Sequence, residues 1–326
     1  MDPITQSCCG YDDPLYAPEA FARRDLFKRT GFAMGAAALA PGLTPMLAQA
    51  QAPTAPVREI APIAGNLYRF RNNFHFSVFA ITPQGAIVTD PINADAAAWL
   101  RAQIRERFNQ PVRYLIYSHD HPDHISGGEG FGEGVTTIAH ERCKSKIQGE
   151  RRRTPVPNIV FSDALTLDLA GTVVELEYVG RNHSDNSIVV RFPAARTLFA
   201  VDWIPVDSMP FRDLHEGYVE EWIDSLKRVE AMDFDVLLPG HGPVGRKSHV
   251  RDFRVYLETV ADGVLDGMRR GQSLEQIRDA LRLERYANWM GYERCARSTS
   301  RACTATGPCS AAARRRKLRA GSRRIA

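Results

Sequence analysis

Seven consecutive residues constrain this chain more than any other segment, because residues 118–124 place three histidines and two aspartates directly after an apolar run. The apolar run, residues 112–117, predicts a buried strand that ends where the polar residues begin. Imidazole nitrogen and carboxylate oxygen are ligands of zinc, and also of iron or manganese. Crowding these groups together without a cation would leave desolvated charges uncompensated. The segment therefore predicts a metal site, and its candidate ligands are His119, His121, Asp123 and His124.

The H-x-H-x-D-H spacing after a hydrophobic strand resembles the signature of the metallo-β-lactamase superfamily. Three later positions fit the same family in the same order. His183 follows a strand-like segment, Asp202 ends the apolar run 197–201, and His241 lies in a Pro-Gly-His-Gly motif. The resemblance covers roughly residues 57 to 270.

This resemblance implies a four-layer αββα sandwich, an α/β fold in which loops at one edge of both sheets carry the ligands. It also implies two metal ions per chain, expected to be Zn²⁺, with iron or manganese as alternatives. Asp202 would bridge the two ions, Asp123 would act in catalysis as well as binding metal, and Asp90 would orient the metal loop. The first ion would be held by His119, His121 and His183, and the second by Asp123, His124 and His241.

The chemistry that the resemblance implies is hydrolysis, by a hydroxide that the two cations share. We expect a small-molecule substrate that is an ester, a thioester or a lactam. Aspartate at position 202, where one group of lactamases has cysteine, favours a site like that of glyoxalase II. The alternatives are a phosphodiesterase or nuclease, a diiron redox or sulfur-handling protein, and a non-catalytic binding protein. Diiron relatives usually replace the second motif histidine, but His121 is intact, and a binding protein should have lost ligands.

The charge distribution gives no support to a nucleic-acid partner. The 326 residues carry a formal net charge of +4, but residues 294–326 contain ten basic residues and no acidic ones. Residues 1–293 therefore hold 32 basic against 38 acidic residues, and an acidic body does not attract phosphate backbones.

The N-terminal 52 residues are typical of an export signal. Arg23 and Arg24 open an Arg-Arg-Asp-Leu-Phe-Lys motif that resembles the twin-arginine consensus, and residues 48–50 form a small Ala-Gln-Ala cleavage site. The weakly apolar residues 30–47 between them fall short of a membrane span. We therefore expect a periplasmic protein that is exported by the twin-arginine route and does not insert stably into the membrane.

Residues 53–293 are predicted to form the catalytic domain. Short strands are expected at residues 66–71, 75–82 and 86–89, and a helix at residues 93–108. A strand at 135–139 and a helix at 140–150 follow the metal loop. Further strands are expected at 158–161, 165–169, 172–179, 187–192 and 197–201, and further helices at 218–232 and 248–268.

Two residues outside the motifs have a more open interpretation. His75 follows the first strand pair, where many relatives have a flap, so it either lines the mouth of the site or is an ordinary surface or core histidine. Cys143 lies on a predicted helix at no ligand position, and we expect no catalytic role. Substrate choice should depend on the loops at residues 72–76, 148–157 and 204–217, and the oligomeric state is not predicted.

The composition changes abruptly after residue 293. Residues 294–326 contain nine Arg, eight Ala, four Ser and three Cys, with almost no large aliphatic residue to bury. Such a segment is expected to stay disordered without a partner. It is either a basic arm for anionic surfaces or, as we hypothesise, the product of a frameshift near residue 294 in a GC-rich gene.

Overall fold

The computed structural model describes residues 55–210, 214 and 216–292. The predicted signal segment and basic tail lie outside these ranges and stay predictions. The described residues from Arg58 onward belong to one unit, which contains two β-sheets. No helix in this described part is long and apolar enough to span a membrane.

The first sheet holds seven strands within the described residues, in the same order as the chain. Strands β1 to β4 pair in antiparallel fashion, whereas β4 to β7 run parallel. The strands are β1 (Arg58–Ala64), β2 (Leu67–Asn72), β3 (His75–Thr82), β4 (Gly85–Thr89), β5 (Val112–Ile116), β6 (Thr136–His140) and β7 (Ile159–Phe161).

The second sheet holds six strands of the described chain, in the order β13, β12, β11, β10, β9, β8. Its pairs are antiparallel except for β11 and β12, which run parallel. The strands are β8 (Ala164–Leu169), β9 (Thr172–Glu177), β10 (Val189–Phe192), β11 (Thr197–Phe199), β12 (Val236–Leu238) and β13 (Gly245–Arg246).

Among the described residues, the first α-helix begins and ends at capping residues, and five further α-helices follow it. Asn93 accepts a hydrogen bond from the amide of Ala96 and so starts α1 (Ala94–Phe108), and Asn109 ends it in the left-handed conformation. The other helices are α2 (Pro122–Ile125), α3 (Glu141–Gly149), α4 (Val219–Ala231), α5 (Lys247–Arg269) and α6 (Leu274–Ala280).

Three hydrophobic clusters define the layers. Between the sheets, Val78 and Ile116 of the first sheet share a cluster with Val190 and Phe199 of the second. Helices α1 and α3 cover the outer face of the first sheet, and α4 and α5 cover that of the second. The four-layer αββα sandwich is therefore confirmed.

The predicted elements agree with the structure apart from their ends. The strand predicted at 197–201 ends at Phe199, because the backbone then turns toward Asp202, whose φ is +54°. The strand predicted at 172–179 ends at Glu177, and the strand predicted at 187–192 starts at Val189. Strand β1 was not predicted, and neither were β12, β13 and α6, which carry too few residues for a clear periodicity.

Candidate metal centre

The end of β5 delivers the ligand-rich segment, as the sequence predicts. The amide of Ser118 donates to Asp90 Oδ1 at 2.8 Å, which fixes the chain just before the first histidine. Helix α2 then begins inside the motif, because Pro122 at its first position needs no amide donor. This single turn directs His124 into the interior, where its side chain is fully buried.

The seven predicted ligands come together in two groups that share Asp202. Within each group, one ligand atom from every residue lies within 4.8 Å of all the others. The first group consists of His119, His121, His183 and Asp202, and the second of Asp123, His124, Asp202 and His241.

Asp202 lies between the groups and turns one carboxylate oxygen toward each. Its Oδ2 is 3.4 Å from Nε2 of His119 and 3.7 Å from Nε2 of His183. Its Oδ1 is 3.1 Å from Nε2 of His124 and 3.2 Å from Nε2 of His241. The left-handed backbone of Asp202 is uncommon for a residue with a side chain, and such strain concentrates at functional sites.

The carboxylates of both groups stay ionised although they are buried. Burial raises the pKa of Asp202, but the imidazoles of His124 and His241 lower it well below its ordinary value. Asp123 behaves in the same way. Burial raises its pKa, but the neighbouring imidazoles, that of His124 most strongly, lower it by more, so the pKa lies well below its ordinary value. Burial beside His121 lowers the pKa of His119 to about 4, so this ring is neutral, which is the form that binds a cation.

The polar atoms of the centre fit a divalent cation. Among the described residues, both oxygens of Asp202, Nε2 of His119 and Oδ1 of Asp123 are buried yet make no regular hydrogen bond. Each such atom costs about 1–3 kcal/mol when left unsatisfied. Nε2 of His124 and Nε2 of His241 also face each other at 3.0 Å. Nitrogen and carboxylate oxygen aimed at a common point are the donor set that zinc prefers.

Outer contacts leave one ring nitrogen facing the group in three of the ligand histidines. Ser118 Oγ contacts Nδ1 of His119 at 2.9 Å, and Glu216 Oε2 contacts Nε2 of His121 at 3.0 Å. Nδ1 of His241 donates to the carbonyl of Phe74 at 3.0 Å. Such partners select the tautomer and orient the ring of a metal ligand.

Asp90 and Asp120 make buried contacts that support the ligand-rich segment at residues 118–124. Burial raises the pKa of Asp90 to about 6, and its Oδ2 lies 3.8 Å from Nδ1 of His124. Asp120 is fully buried and accepts hydrogen bonds from Arg152 at 2.9 Å and Asn186 at 2.7 Å. No role for Asp120 or Glu216 was predicted from the sequence. The arginine run at residues 151–153 is the one signal that could have indicated a partner for Asp120.

The remaining histidines and the cysteine lie in different environments. Nε2 of His75 contacts Asp123 Oδ2 at 3.2 Å, so this residue lies beside the second group. His140 caps α3, and His249 belongs to the cap of α5. Cys143 is buried in α3 and joins no ligand group of the described residues. His215 lies outside the described residues.

Comparison with known proteins identifies a family. The family model "Metallo-beta-lactamase superfamily" matches residues 71–241. The chain is 24% identical over 225 residues, 67% of its length, to 2,4-dinitroanisole O-demethylase subunit alpha of Nocardioides sp. (strain JS1661), of which it covers 68%. It is 28% identical over 167 residues, 50% of its length, to Metallo-beta-lactamase type 2 of Bacteroides fragilis, of which it covers 66%.

A solved structure shares the fold. The metallo-beta-lactamase from Pontibacter korlensis matches 62% of this chain and 99% of its own, with a TM-score of 0.56 and 19% identity.

A third curated relative, the linear primary-alkylsulfatase of Pseudomonas sp. (strain ATCC 19151), is 22% identical over 270 residues, 62% of this chain. The chain spans only 48% of that protein.

Proposed function

Because the chain belongs to the metallo-beta-lactamase superfamily and is a metal-dependent hydrolase of that fold, we propose that two divalent cations serve its reaction. We propose zinc, ahead of iron or manganese, and an ester, thioester or lactam substrate. The observation that supports this proposal most strongly is the carboxylate of Asp202, which turns one oxygen toward each ligand group.

The two groups divide the work of holding the cations. His119, His121 and His183 would hold one cation, Asp123, His124 and His241 would hold the other, and Asp202 would contact both. A pair of divalent cations supplies polarisation of the substrate oxygen and makes water acidic enough to lose a proton near neutral pH.

The side chains around the cations would orient water and substrate. Asp123 Oδ1 is buried and makes no regular hydrogen bond with the described residues, so it is free to accept one from the attacking water. Hydrolysis then forms a bond from water oxygen to the acyl carbon and breaks the bond to the leaving group. The leaving group takes up the proton that water loses.

The substrate would approach from the side where ligands reach solvent. The side chains of His183 and His241 are 14% and 19% exposed, whereas those of His119 and His124 are buried. Phe74 lies at this rim, half exposed, and its carbonyl contacts His241. An exposed aromatic ring beside the centre favours a substrate with an apolar group.

Two further substrate classes are supported by specific observations. The similarity to a protein named as a dinitroanisole O-demethylase supports an aryl ether as a second candidate. The similarity to a primary-alkylsulfatase supports a sulfate ester. Phosphodiester hydrolysis and diiron redox chemistry are weaker proposals, because the body is acidic and His121 is intact.

The test combines metal analysis with a substrate panel. Purified protein is expected to contain close to two metal ions per chain and to hydrolyse one class among nitrocefin, a thioester, a lactone, a nitroaryl ether, a primary alkyl sulfate and a phosphodiester. His121→Ala should abolish hydrolysis and leave the circular dichroism spectrum largely unchanged. Undiminished activity in a metal-free preparation would refute the proposal.

We also propose that the protein is exported to the periplasm by the twin-arginine route. The support is the Arg23-Arg24 motif and the small residues at 48–50. Replacing both arginines with lysine should keep the precursor in the cytoplasm, as measured by cell fractionation. Continued appearance in the periplasm would reject this route.

A further inference from the structure

The hairpin of β2 and β3 is joined to the loop that carries His241. The amide of Phe76 donates to the carbonyl of Gly240 at 2.8 Å, and His241 Nδ1 donates to the carbonyl of Phe74 at 3.0 Å. Arg69 adds a hydrogen bond to the carbonyl of Gly242 at 2.7 Å. The turn of this hairpin is thus fixed against one ligand of the second group.

His75 extends the same hairpin to a second ligand. Its Nε2 lies 3.2 Å from Oδ2 of Asp123, and its ring centroid lies 4.7 Å from that of His241. An ionised carboxylate only accepts hydrogen bonds, so Nε2 of His75 carries the hydrogen and donates it. Oδ2 is also the Asp123 oxygen nearest to the ligand nitrogens of His124 and His241, at 3.6 and 3.7 Å.

We propose that His75 is a positioning residue that holds the Asp123 carboxylate in the second group and thereby sets the affinity of that group for its cation. The inference rests on the two-cation centre proposed above. His75 does not belong to either ligand group of the described residues. It therefore acts through Asp123 rather than as a ligand.

The effect should be confined to the second group, because the first group has other supports. Ser118 contacts His119, and Glu216 contacts His121; neither residue belongs to the hairpin. Losing an outer hydrogen bond to a metal ligand typically weakens metal binding by about 10–100-fold. We expect a loss of this size for one of the two cations.

The experiment is a competition between the protein and a chromophoric chelator for Zn²⁺, repeated with Co²⁺, whose absorption spectrum reports ligand geometry. His75→Phe keeps a ring but removes the donor, and it should release one cation about 10–100-fold more readily while the other is held as in the wild type. His75→Gln keeps an N–H donor and should restore the lost affinity. Gln84→Ala is the control at the other end of β3, because this exposed residue uses only its main-chain atoms in hydrogen bonds to Thr82 and Arg113.

Further measurements separate the possible failures. A wild-type protein that binds fewer than two cations would refute the two-cation centre itself. Two cations bound by His75→Phe with wild-type affinities would refute the role of His75 alone, as would an equal loss of both cations or an absence of rescue by His75→Gln. His75→Leu removes the donor with a smaller side chain, so the same loss is expected there if His75→Phe does not fold.

Discussion

The two ligand groups share Asp202, yet different parts of the fold support them. The first group depends on side chains: Ser118 Oγ contacts His119, and the 34% exposed side chain of Glu216 contacts His121. The second group also uses main chain, because the carbonyl of Phe74 accepts from His241, while the side chain of His75 contacts Asp123. Single side-chain changes should therefore affect either group, whereas displacement of the backbone at the hairpin turn should affect only the second group.

Packing reinforces this difference around the second group. A Cβ atom added at Gly240 would lie 2.4 Å from Cγ1 of Val201 and 2.8 Å from Cε1 of His124. Real Cβ contacts are essentially never shorter than 3.0 Å, so the loop before His241 packs too closely against the second group to accept a side chain at residue 240. Hairpin, loop and ligand ring are thus in mutual contact at the second group.

The largest effect is expected from Asp202→Ala, which asks whether the two groups form one centre. Removal of a carboxylate that faces both groups should lower the affinity for both cations. It should also lower turnover about a thousandfold, or about 4 kcal/mol of transition-state stabilisation. Metal content after gel filtration and steady-state rates measure this. Asp279→Ala, at an exposed position of α6, is the control. A variant that retains one cation at wild-type affinity would show that Asp202 serves a single group.

Gly240→Ala should have the next largest effect and should act on the second group alone. The added methyl group must displace the side chain of Val201 and the ring of His124, which is a ligand of the second group only, and overpacking of this kind costs about 1–3 kcal/mol. We expect loss of one cation together with a lower free energy of unfolding in denaturant titrations. Gly149→Ala, where an added Cβ meets nothing within 4 Å, should change neither quantity. Equal weakening of both cations would contradict the separation of the groups.

Much of this architecture could be predicted from the sequence, because the ligands lie at strand ends with a strong local pattern. The strand at β5 and the alternation of sheets and helices both follow from hydrophobic runs and caps within a few neighbouring residues. Four of the seven ligands were predicted from the segment at residues 118–124 and the other three through the family resemblance, and the structure brings all seven together.

Outer contacts other than that of Asp90 could not be predicted, because they join residues that are distant in the chain and have no characteristic spacing. Glu216 is separated from His121 by 95 residues, and His75 from Asp123 by 48. A lone glutamate or histidine in a loop has many possible environments, and only the three-dimensional arrangement selects one. Asp120 shows the same limit: it lies inside the motif, but its partners Arg152 and Asn186 come from two other loops.

The smallest effect is expected from Glu216→Gln, which probes the support of the first group. Glutamine keeps an oxygen that can accept from Nε2 of His121 but removes the negative charge. The cation of the first group should therefore be held up to about tenfold less tightly, at the low end of the range for outer partners of metal ligands. Chelator competition resolves this change if the second cation serves as the internal reference, and Glu284→Gln, on an exposed side chain, serves as the control. If the second cation were the one released, the support assigned to Glu216 would belong to the other group, and the contrast between the two groups would be wrong.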